Sequence, residues 1–395
     1  MEVYKSHSSR DWEMKKTFTA VAASSVFVAA GAHAQSSVTL YGLIDAGLTY
    51  TNNQAGHAAW QETSGSISGS RWGLRGSEDL GGGLKAVFKL ENGFGINNGT
   101  LKQSGREFGR QAFVGIGSDK FGTVKLGRQY DSVVDYVGPF SLTGTEYGGT
   151  QFAHPFDNDN LSNSFRVNNS VKYDSVNFGG VKVGALYGFS NQAGSFANNR
   201  VYSIGASYHW GGLNVGAGYL QMNNDPNNLL QAASNGGAVT GDATFAAGRQ
   251  QTWGAGFNYA FGPATAGFVY AQTNLSQLSG INASNAGTAT TLGLNRNSAH
   301  FQNFEVNGRY LITPALSVAA SYVYTMASVE GRAPKWNQVN LQAAYALSKR
   351  TSIYVQSEYQ HISQDGLPIG ADIYGLSASS NQNQVAVTAG MRHSF

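Results

Sequence analysis

The chain has 395 residues, of which only 12% are charged while 51 are glycine, and its formal net charge is +3. Average proteins have about 25% charged residues and about 7% glycine. A large soluble protein with so few charges would be hard to keep dispersed, whereas a wall between lipid and neutral polar groups needs few. The balanced charge gives no sign of the basic face that a nucleic-acid partner requires. The absence of cysteine excludes disulfides and cysteine-ligated metal sites.

An export signal begins at Met14. Residues 14–35 read MKKTFTAVAASSVFVAAGAHAQ, with two lysines, a short apolar run and a small-x-small cleavage site that ends at Ala34. The apolar run is shorter than the about 20 residues that a membrane-spanning helix needs. We therefore expect cleavage after Ala34 and a single mature domain at 35–395. Residues 1–13 precede this signal, and we interpret them as the product of an early start-codon assignment.

The remaining chain alternates apolar and polar residues with a period of two. In the segment 336–347, for example, the odd positions from Val339 to Leu347 are apolar and the even positions from Gln338 to Gln342 carry amides. Successive side chains of a β-strand point to opposite faces, so this pattern predicts a strand with one apolar and one wet face. No stretch of 18 consecutive apolar residues is present, which excludes a helical membrane protein.

Sixteen segments of this kind follow the signal. We predict strands at 38–50, 67–78, 83–93, 106–117, 122–129, 167–175, 180–190, 200–210, 212–222, 250–261, 263–274, 301–312, 315–327, 336–347, 351–361 and 383–395. Short turns alternate with long polar loops, which is typical of an all-β, transmembrane antiparallel β-barrel with its short turns at one end. Sixteen strands enclose an aqueous channel, because barrel diameter grows with strand number. A soluble β-sandwich or solenoid is the alternative, and the signal and the turn-loop rhythm argue against it.

Several segments are distinctive: SSVTLYGLIDAGL, SRWGLRGSEDLGGGLKAVFKLENGF, GRQAFVGI, FGTVKLGRQYD and the closing Phe395. Together they resemble the general porins of Gram-negative bacteria, of the neisserial and betaproteobacterial type. The resemblance implies a homotrimer in the outer membrane that passes small hydrophilic solutes and ions by passive diffusion, with small residues such as Ala46 and Gly47 at the subunit contact. It also implies a third loop folded inward, contact with lipopolysaccharide, and insertion by the barrel assembly machinery with Phe395 as the assembly signal.

Charged residues of the predicted strands are expected to face the channel. A base on the lipid side near the bilayer midplane would cost about 2–4 kcal/mol. Alternation therefore predicts that the following charged wall residues face inward: Asp45, Arg71, Arg75, Lys85 and Lys89.

The segment 130–165 is acidic and contains no lysine or arginine. Composition alone leaves a solvated surface loop as the alternative. The motif TEYGG around Glu146 matches the acid-aromatic-Gly-Gly tip of the family's constriction loop, and Arg110 and Arg166 match positions where the family has constriction arginines. The resemblance thus favours a selectivity constriction, with arginines on one wall facing acids of the loop. Its predicted residues are Arg71, Arg75, Arg110 and Arg166, facing Glu146 with Asp131 or Asp135.

Other chemistry has little support in the sequence. The eight histidines show no ligand spacing, and no Ser-His or Asp-His catalytic constellation is recognisable. We therefore expect neither an enzyme nor a metal or cofactor site. Two alternatives to a general channel stay open, namely a substrate-specific channel and a structural or adhesin barrel, and the sign of any ion selectivity is not predicted.

Overall fold

The computed structural model describes residues 37–223, 236–239, 244–282 and 291–395. The expected signal, residues 1–34, lies outside these ranges. The described residues form sixteen antiparallel strands in one closed sheet, which confirms the predicted β-barrel. None of the helices in the described ranges is long and apolar enough to cross a membrane.

The strands follow one another around the barrel in chain order. They are β1 (Ser37–Gln54), β2 (two segments, His57–Ser64 and Arg71–Gly81), β3 (Leu84–Gly93), β4 (Gln111–Ser118), β5 (Gly122–Gln129), β6 (Val167–Asp174), β7 (Val181–Gly188), β8 (Arg200–Trp210), β9 (Leu213–Asn223), β10 (Arg249–Phe261), β11 (Ala264–Asn282), β12 (Thr291–Leu311), β13 (Leu316–Ser328), β14 (Lys335–Ala346), β15 (Thr351–Ser363) and β16 (Asn383–Ser394). A two-residue segment, Phe245–Ala246, pairs with the end of β11.

The barrel closes where β1 pairs with β16, in register from Leu43 opposite Ser394 to Thr51 opposite Ala386. Beyond that ladder, Gly42 and Phe395 exchange two backbone hydrogen bonds of 3.1 and 3.0 Å. The backbone groups along this seam are therefore paired, as a wall in lipid requires.

Asp45 lies on the inner side of β1 and is completely buried. Its carboxylate accepts hydrogen bonds from the backbone N–H groups of Ile67 and Ser68 at 3.0 and 2.7 Å, and from the Tyr354 hydroxyl at 2.6 Å. Ile67 and Ser68 belong to the stretch that interrupts β2. Asp45 thus holds this bend against the wall and has no contact with solvent.

The largest difference from the predicted strands concerns the segment 275–300. The predicted strands 263–274 and 301–312 leave these polar residues in a long loop, but β11 continues to Asn282 and β12 already begins at Thr291. Ladder hydrogen bonds form between backbone groups whatever the side-chain polarity, so a polar composition does not prevent a long hairpin. The predicted strand 106–117, in contrast, is shorter at its start, because it begins only at Gln111.

The two faces of the wall differ as alternation requires. Apolar residues such as Leu40, Val306 and Leu341 are 59%, 60% and 51% exposed, and they form the outer face. Six aromatic residues beside the short turns are also exposed, as expected for a girdle at the lipid boundary; they are Phe178, Trp210, Tyr259, Phe261, Tyr310 and Tyr345. Gly47 faces inward instead, because a Cβ there would meet Thr388 and Tyr354, so it cannot serve at an outer subunit contact.

Near the long loops the inner face also becomes apolar. Phe301 on β12, Trp336 on β14 and Ile362 on β15 are buried in one cluster with Phe156 and Leu367 from two loops. Phe156 contacts the rings of Phe301 and Trp336 edge-on, with centroids 6.2 and 5.8 Å apart. Burial of such rings stabilises the packing of the loops against the wall.

Candidate functional site

The segment between β5 and β6, residues 130–166, packs against the buried face of the wall. It begins with a short helix, α1 (Ser132–Tyr136), whose N-cap Asp131 accepts hydrogen bonds from Val133 N and Val134 N at 2.7 and 3.3 Å. Burial raises the pKa of Asp131 to about 6. The Asp131 carboxylate also accepts a hydrogen bond from Asn160, so it holds the two ends of the segment together.

Glycines in the wall make room for this segment. A Cβ at Gly216 on β9 would overlap the Tyr136 carbonyl oxygen, and one at Gly256 on β10 would lie 2.7 Å from Phe140 Cβ. Real Cβ atoms do not approach other atoms so closely, and interiors lack the space to yield. Only glycine at these two positions lets the segment lie directly on the strands.

A buried charged cluster fixes the far side of the segment to β12. His154 Nδ1 lies 2.6 Å from Asp159 Oδ2, and His154 Nε2 lies 3.0 Å from Glu305 Oε2. The Glu305 carboxylate also accepts hydrogen bonds from Ser141 Oγ at 2.5 Å and Leu142 N at 2.9 Å. Burial would lower the pKa of His154, but the two carboxylates outweigh it and raise the pKa to about 10. His154 is therefore an imidazolium that joins the segment to the wall at neutral pH.

A cavity of about 1050 Å³ lies between this segment and the strands near β1 to β3. Its lining includes five basic and two acidic side chains; these are Arg71, Lys102, Arg110, Arg166, Arg392, Glu62 and Glu146. The structure thus brings together three of the four predicted arginines and the predicted loop acid Glu146. Basic groups outnumber acidic groups around this space.

Arg110 is held in place by a network of hydrogen bonds. Its Nε donates to Glu91 Oε1 at 2.8 Å, and its Nη2 donates to the Tyr130 hydroxyl at 3.0 Å. Glu91 also accepts a hydrogen bond from the Tyr41 hydroxyl at 2.8 Å and pairs with Lys89 at 3.1 Å. Arg110 and Glu91 are 8% and 2% exposed, so the network fixes the guanidinium in one orientation.

Arg71 and Arg166 extend the basic surface. Arg71 Nε donates to the Gly69 carbonyl at 2.9 Å, and within the described ranges Arg71 forms no ion pair. The Arg166 guanidinium lies 5.7 Å from the centre of the Tyr130 ring. Cation–π contact of this kind favours a cation over an aromatic face, and it orients Arg166 beside the same cavity.

The other predicted site residues lie elsewhere. Asp131 caps α1, and Asp135 pairs with Lys172 on β6, so neither acid faces the arginines of the cavity. The expected opposition of Asp131 or Asp135 to those arginines is wrong, because nearer partners hold both carboxylates. Arg75 lies over the Tyr41 ring at 5.2 Å and does not line the cavity.

The two predicted wall lysines form ion pairs outside the cavity lining. Lys85 pairs with Asp119 beside the short turns at 3.0 Å, and Lys89 pairs with Glu91. Phe395 closes the seam with Gly42.

Arg392 is the main residue that sequence reasoning missed. Its Nη1 donates to Glu146 Oε2 at 2.9 Å, although 246 positions separate the two residues. A signal was present, because Arg392 falls on the wet face of the last strand, opposite Val387 and Met391. Lys102 and Glu62 lie in parts of the sequence with no strand prediction and carried no comparable signal.

Comparison with known proteins gives one consistent result. The family model for Gram-negative porins matches residues 19–367. An outer membrane porin protein of Bordetella pertussis is 31% identical, over 97% of this chain and all of the relative. Outer membrane porin protein 32 of Delftia acidovorans is also 31% identical, with the same two coverages. The solved structure of an anion-selective porin from Comamonas acidovorans has a TM-score of 0.71 and 25% identity, and the match covers 91% of this chain and all of that one.

The closed sixteen-stranded barrel, its apolar outer face and these similarities agree with one another. The chain therefore belongs to the Gram-negative porin family, as an outer-membrane channel for passive diffusion.

Proposed function

We propose that the cavity beside segment 130–166 is the constriction of the channel and that it favours small anions over cations of the same size. The observation that carries this proposal is the lining, where five basic side chains accompany two acidic ones. Two of the five bases are paired with acids, Arg392 with Glu146 and Arg110 with Glu91. Rings and clusters of arginine and lysine select anions in other pores, because they raise the local concentration of the opposite charge.

The similarity to an anion-selective porin supports the same sign of selectivity. That protein and this chain share 25% identity over nearly their whole lengths. The charges of the lining favour anions independently of this similarity.

The reversal potential across a KCl gradient tests the proposal in a planar bilayer. We expect the wild-type channel to reverse on the anion-selective side and Arg71→Ser to move the potential toward the cation side. A unit charge about 4 Å from an ion contributes about 1 kcal/mol in water, which corresponds to about fivefold in the permeability ratio. Arg75→Ser is the matched control, because Arg75 lies on the same strand but outside the lining. Equal shifts for the two variants, or a cation-selective wild type, would contradict the proposal.

Liposome swelling with neutral sugars of graded size separates the general channel from the alternatives. A smooth decrease of the swelling rate with sugar size supports general diffusion. Saturable uptake of one sugar would indicate a substrate-specific channel, and no swelling would indicate a structural or adhesin barrel.

We also propose a homotrimer, with the outer face of β1 at the subunit contact. Val38, Leu40 and Leu48 on this face are 65%, 59% and 54% exposed in the single chain, so they are available to a neighbouring subunit or to lipid. Native mass measurement in a mild detergent should give three chains per particle. A monomer under all mild conditions would reject this proposal.

A further inference from the structure

Two buried carboxylates lie together at the inner wall near the last long loop. Glu358 on β15 and Asp372 in the loop 364–382 are 2% and 3% exposed. Gln360, two positions after Glu358 on β15, exchanges two hydrogen bonds with the Asp372 backbone, so the two acids lie in the same region of the wall. Of the described residues, none donates a hydrogen bond to any of their four carboxylate oxygens. Buried carboxylates without partners are costly, and an ion is one of the few explanations for them in a native protein.

No described residue donates a hydrogen bond to the Glu358 carboxylate. Its cross-strand neighbours are Asn340 on β14 and Ala386 on β16. Alanine has no polar side chain, and Asn340 Nδ2 donates to Ser321 Oγ at 2.9 Å. Neither carboxylate belongs to any ion pair found in the described ranges. No side-chain cation of the described residues therefore neutralises these two carboxylates.

Asp372 is held beside Glu358 by its own backbone. Asp372 N donates to Gln360 Oε1 at 2.6 Å, and Gln360 Nε2 donates to the Asp372 carbonyl at 3.2 Å. Ile373 N donates to Gln384 Oε1 at 2.7 Å. Gln360 and Glu358 share the inner face of β15, two positions apart, so these bonds place the Asp372 carboxylate near Glu358 before any ligand arrives. Such preorganisation reduces the cost of binding.

A third oxygen without a donor lies on the same face of β15. Gln356 is 1% exposed, and its Nε2 donates to Gln151 Oε1 at 2.5 Å. Thr388 Oγ1 donates to the same Gln151 oxygen at 3.0 Å, so in this arrangement Gln151 Oε1 is an acceptor and the Gln356 amide presents its nitrogen to it. This orientation leaves Gln356 Oε1 without a hydrogen-bond donor among the described residues.

We propose that Glu358, Asp372 and the amide oxygen of Gln356 bind a divalent cation, with Ca²⁺ as the best match. Ca²⁺ takes carboxylate, amide and carbonyl oxygens together with water, in irregular geometry. The described residues contain no cluster of three or more His, Cys, Asp or Glu side chains that could hold a metal, so the remaining ligands would be backbone or water oxygens. Asp372 also lines a cavity of about 380 Å³ beneath the loop 364–382.

The site would connect three parts of the channel. Glu358 belongs to the wall, Asp372 to the loop 364–382, and Gln356 is hydrogen-bonded to Gln151 of the segment 130–166. A bound ion would therefore stabilise both loops against β15.

Calcium uptake by the purified full-length barrel tests the proposal. Protein stripped with EDTA is dialysed against radioactive CaCl₂ in detergent. We expect one ion per chain above the background, with a dissociation constant on the order of 10⁻⁴ to 10⁻³ M, as in extracellular calcium modules. Glu358→Gln and Asp372→Asn should each weaken binding by about tenfold or more, since charge count sets calcium affinity. Asp365→Asn is the control, because Asp365 is an exposed acid of the same loop.

The double variant E358Q/D372N lacks both carboxylates, so the calcium that it retains measures binding by copurified lipid. Equal uptake by this variant and the wild type would overturn the proposal. A second measurement needs no variant: calcium should raise the melting temperature of the wild type relative to EDTA at constant pH. If the two carboxyl groups instead hold protons, the melting temperature will rise on acidification and will not respond to calcium, which would also overturn the proposal.

Discussion

Arg392 Nη1 donates a hydrogen bond of 2.9 Å to Glu146 Oε2, so the middle of segment 130–166 is tied to the last strand of the barrel. The Glu146 and Arg392 side chains are 55% and 21% exposed, and both line the cavity with Arg71 and Arg110. An exposed pair of this kind contributes about 0–1 kcal/mol to stability. Its larger effect is on charge, because it cancels one base of the cavity lining.

Neutralising Glu146 and neutralising Arg392 should shift the ion selectivity in opposite directions. Glu146→Gln leaves Arg392 uncompensated, so we expect the reversal potential to move toward the anion side. Arg392→Gln should move it toward the cation side, and the double variant should resemble the wild type. The effects should weaken from 0.1 M to 1 M salt, because the Debye length falls from about 10 Å to about 3 Å. Identical potentials for the two single variants would show that the pair lies outside the ion path.

His154 should anchor segment 130–166 at neutral pH and release it at high pH. Its pKa rises from 6.5 to about 10 on folding. The stabilisation from the imidazolium is therefore fully present below about pH 6.5 and is lost as the pH rises through about 10. We expect proteolysis within the segment and single-channel noise to increase between pH 8 and pH 10.5 in the wild type.

His154→Gln should show that increase already at pH 7. Removing one partner of a buried ion pair costs about 3–5 kcal/mol, because Asp159 and Glu305 lose their shared cation. His361→Gln, at a histidine outside the cluster, should behave as the wild type. A His154→Gln channel with wild-type noise and protease resistance at pH 7 would refute the anchoring role.

Gly216→Ala should displace segment 130–166 from the wall. The new Cβ would overlap the Tyr136 carbonyl oxygen and lie 2.6 Å from Phe140 Cε2. Overpacking of this kind costs about 1–3 kcal/mol, so we expect a lower melting temperature and an altered single-channel conductance. Gly308→Ala is the control, since the nearest atom to a Cβ at Gly308 is Thr265 O at 3.4 Å. If both variants have the melting temperature of the wild type, the contact between α1 and β9 is looser than the structure shows.

Deleting Phe395 should reduce the amount of barrel inserted in the outer membrane severalfold without affecting export across the inner membrane. Phe395 exchanges two backbone hydrogen bonds with Gly42, and its ring lies against that glycine. Phe395→Tyr keeps these contacts and should insert normally. Quantification of heat-modifiable barrel in outer-membrane fractions checks both, and undiminished insertion of the truncated chain would disprove the assembly role.

The fold could be predicted from the sequence because its pattern is local. Alternation between positions such as Leu341 and Gln342 identifies a strand and its two faces without knowledge of any partner. The inner apolar cluster escaped prediction for the same reason. Alternation assigns Phe301 and Trp336 to one face of a strand, but it does not say that loops cover that face.

The candidate site was predictable only in part, because its pairings join distant residues. Arg71 and Arg110 follow from the cost of a charge in lipid and from the family resemblance. The partners of His154 and Glu146 lie on β12 and β16, and no local pattern connects them. Asp131 did carry a local signal, since an aspartate before a short helical segment is a common N-cap, yet its charge suggested a pore role instead.

The seam between β1 and β16 joins strands from opposite ends of the described chain. A ring that closes there has no stable form until β16 has been translated and exported, so the polypeptide must cross the periplasm as an open sheet or an unfolded chain. Open strand edges attract other chains. The same ladder that makes the finished wall continuous therefore leaves two open edges in the unfinished one, which must be protected against aggregation until β16 arrives.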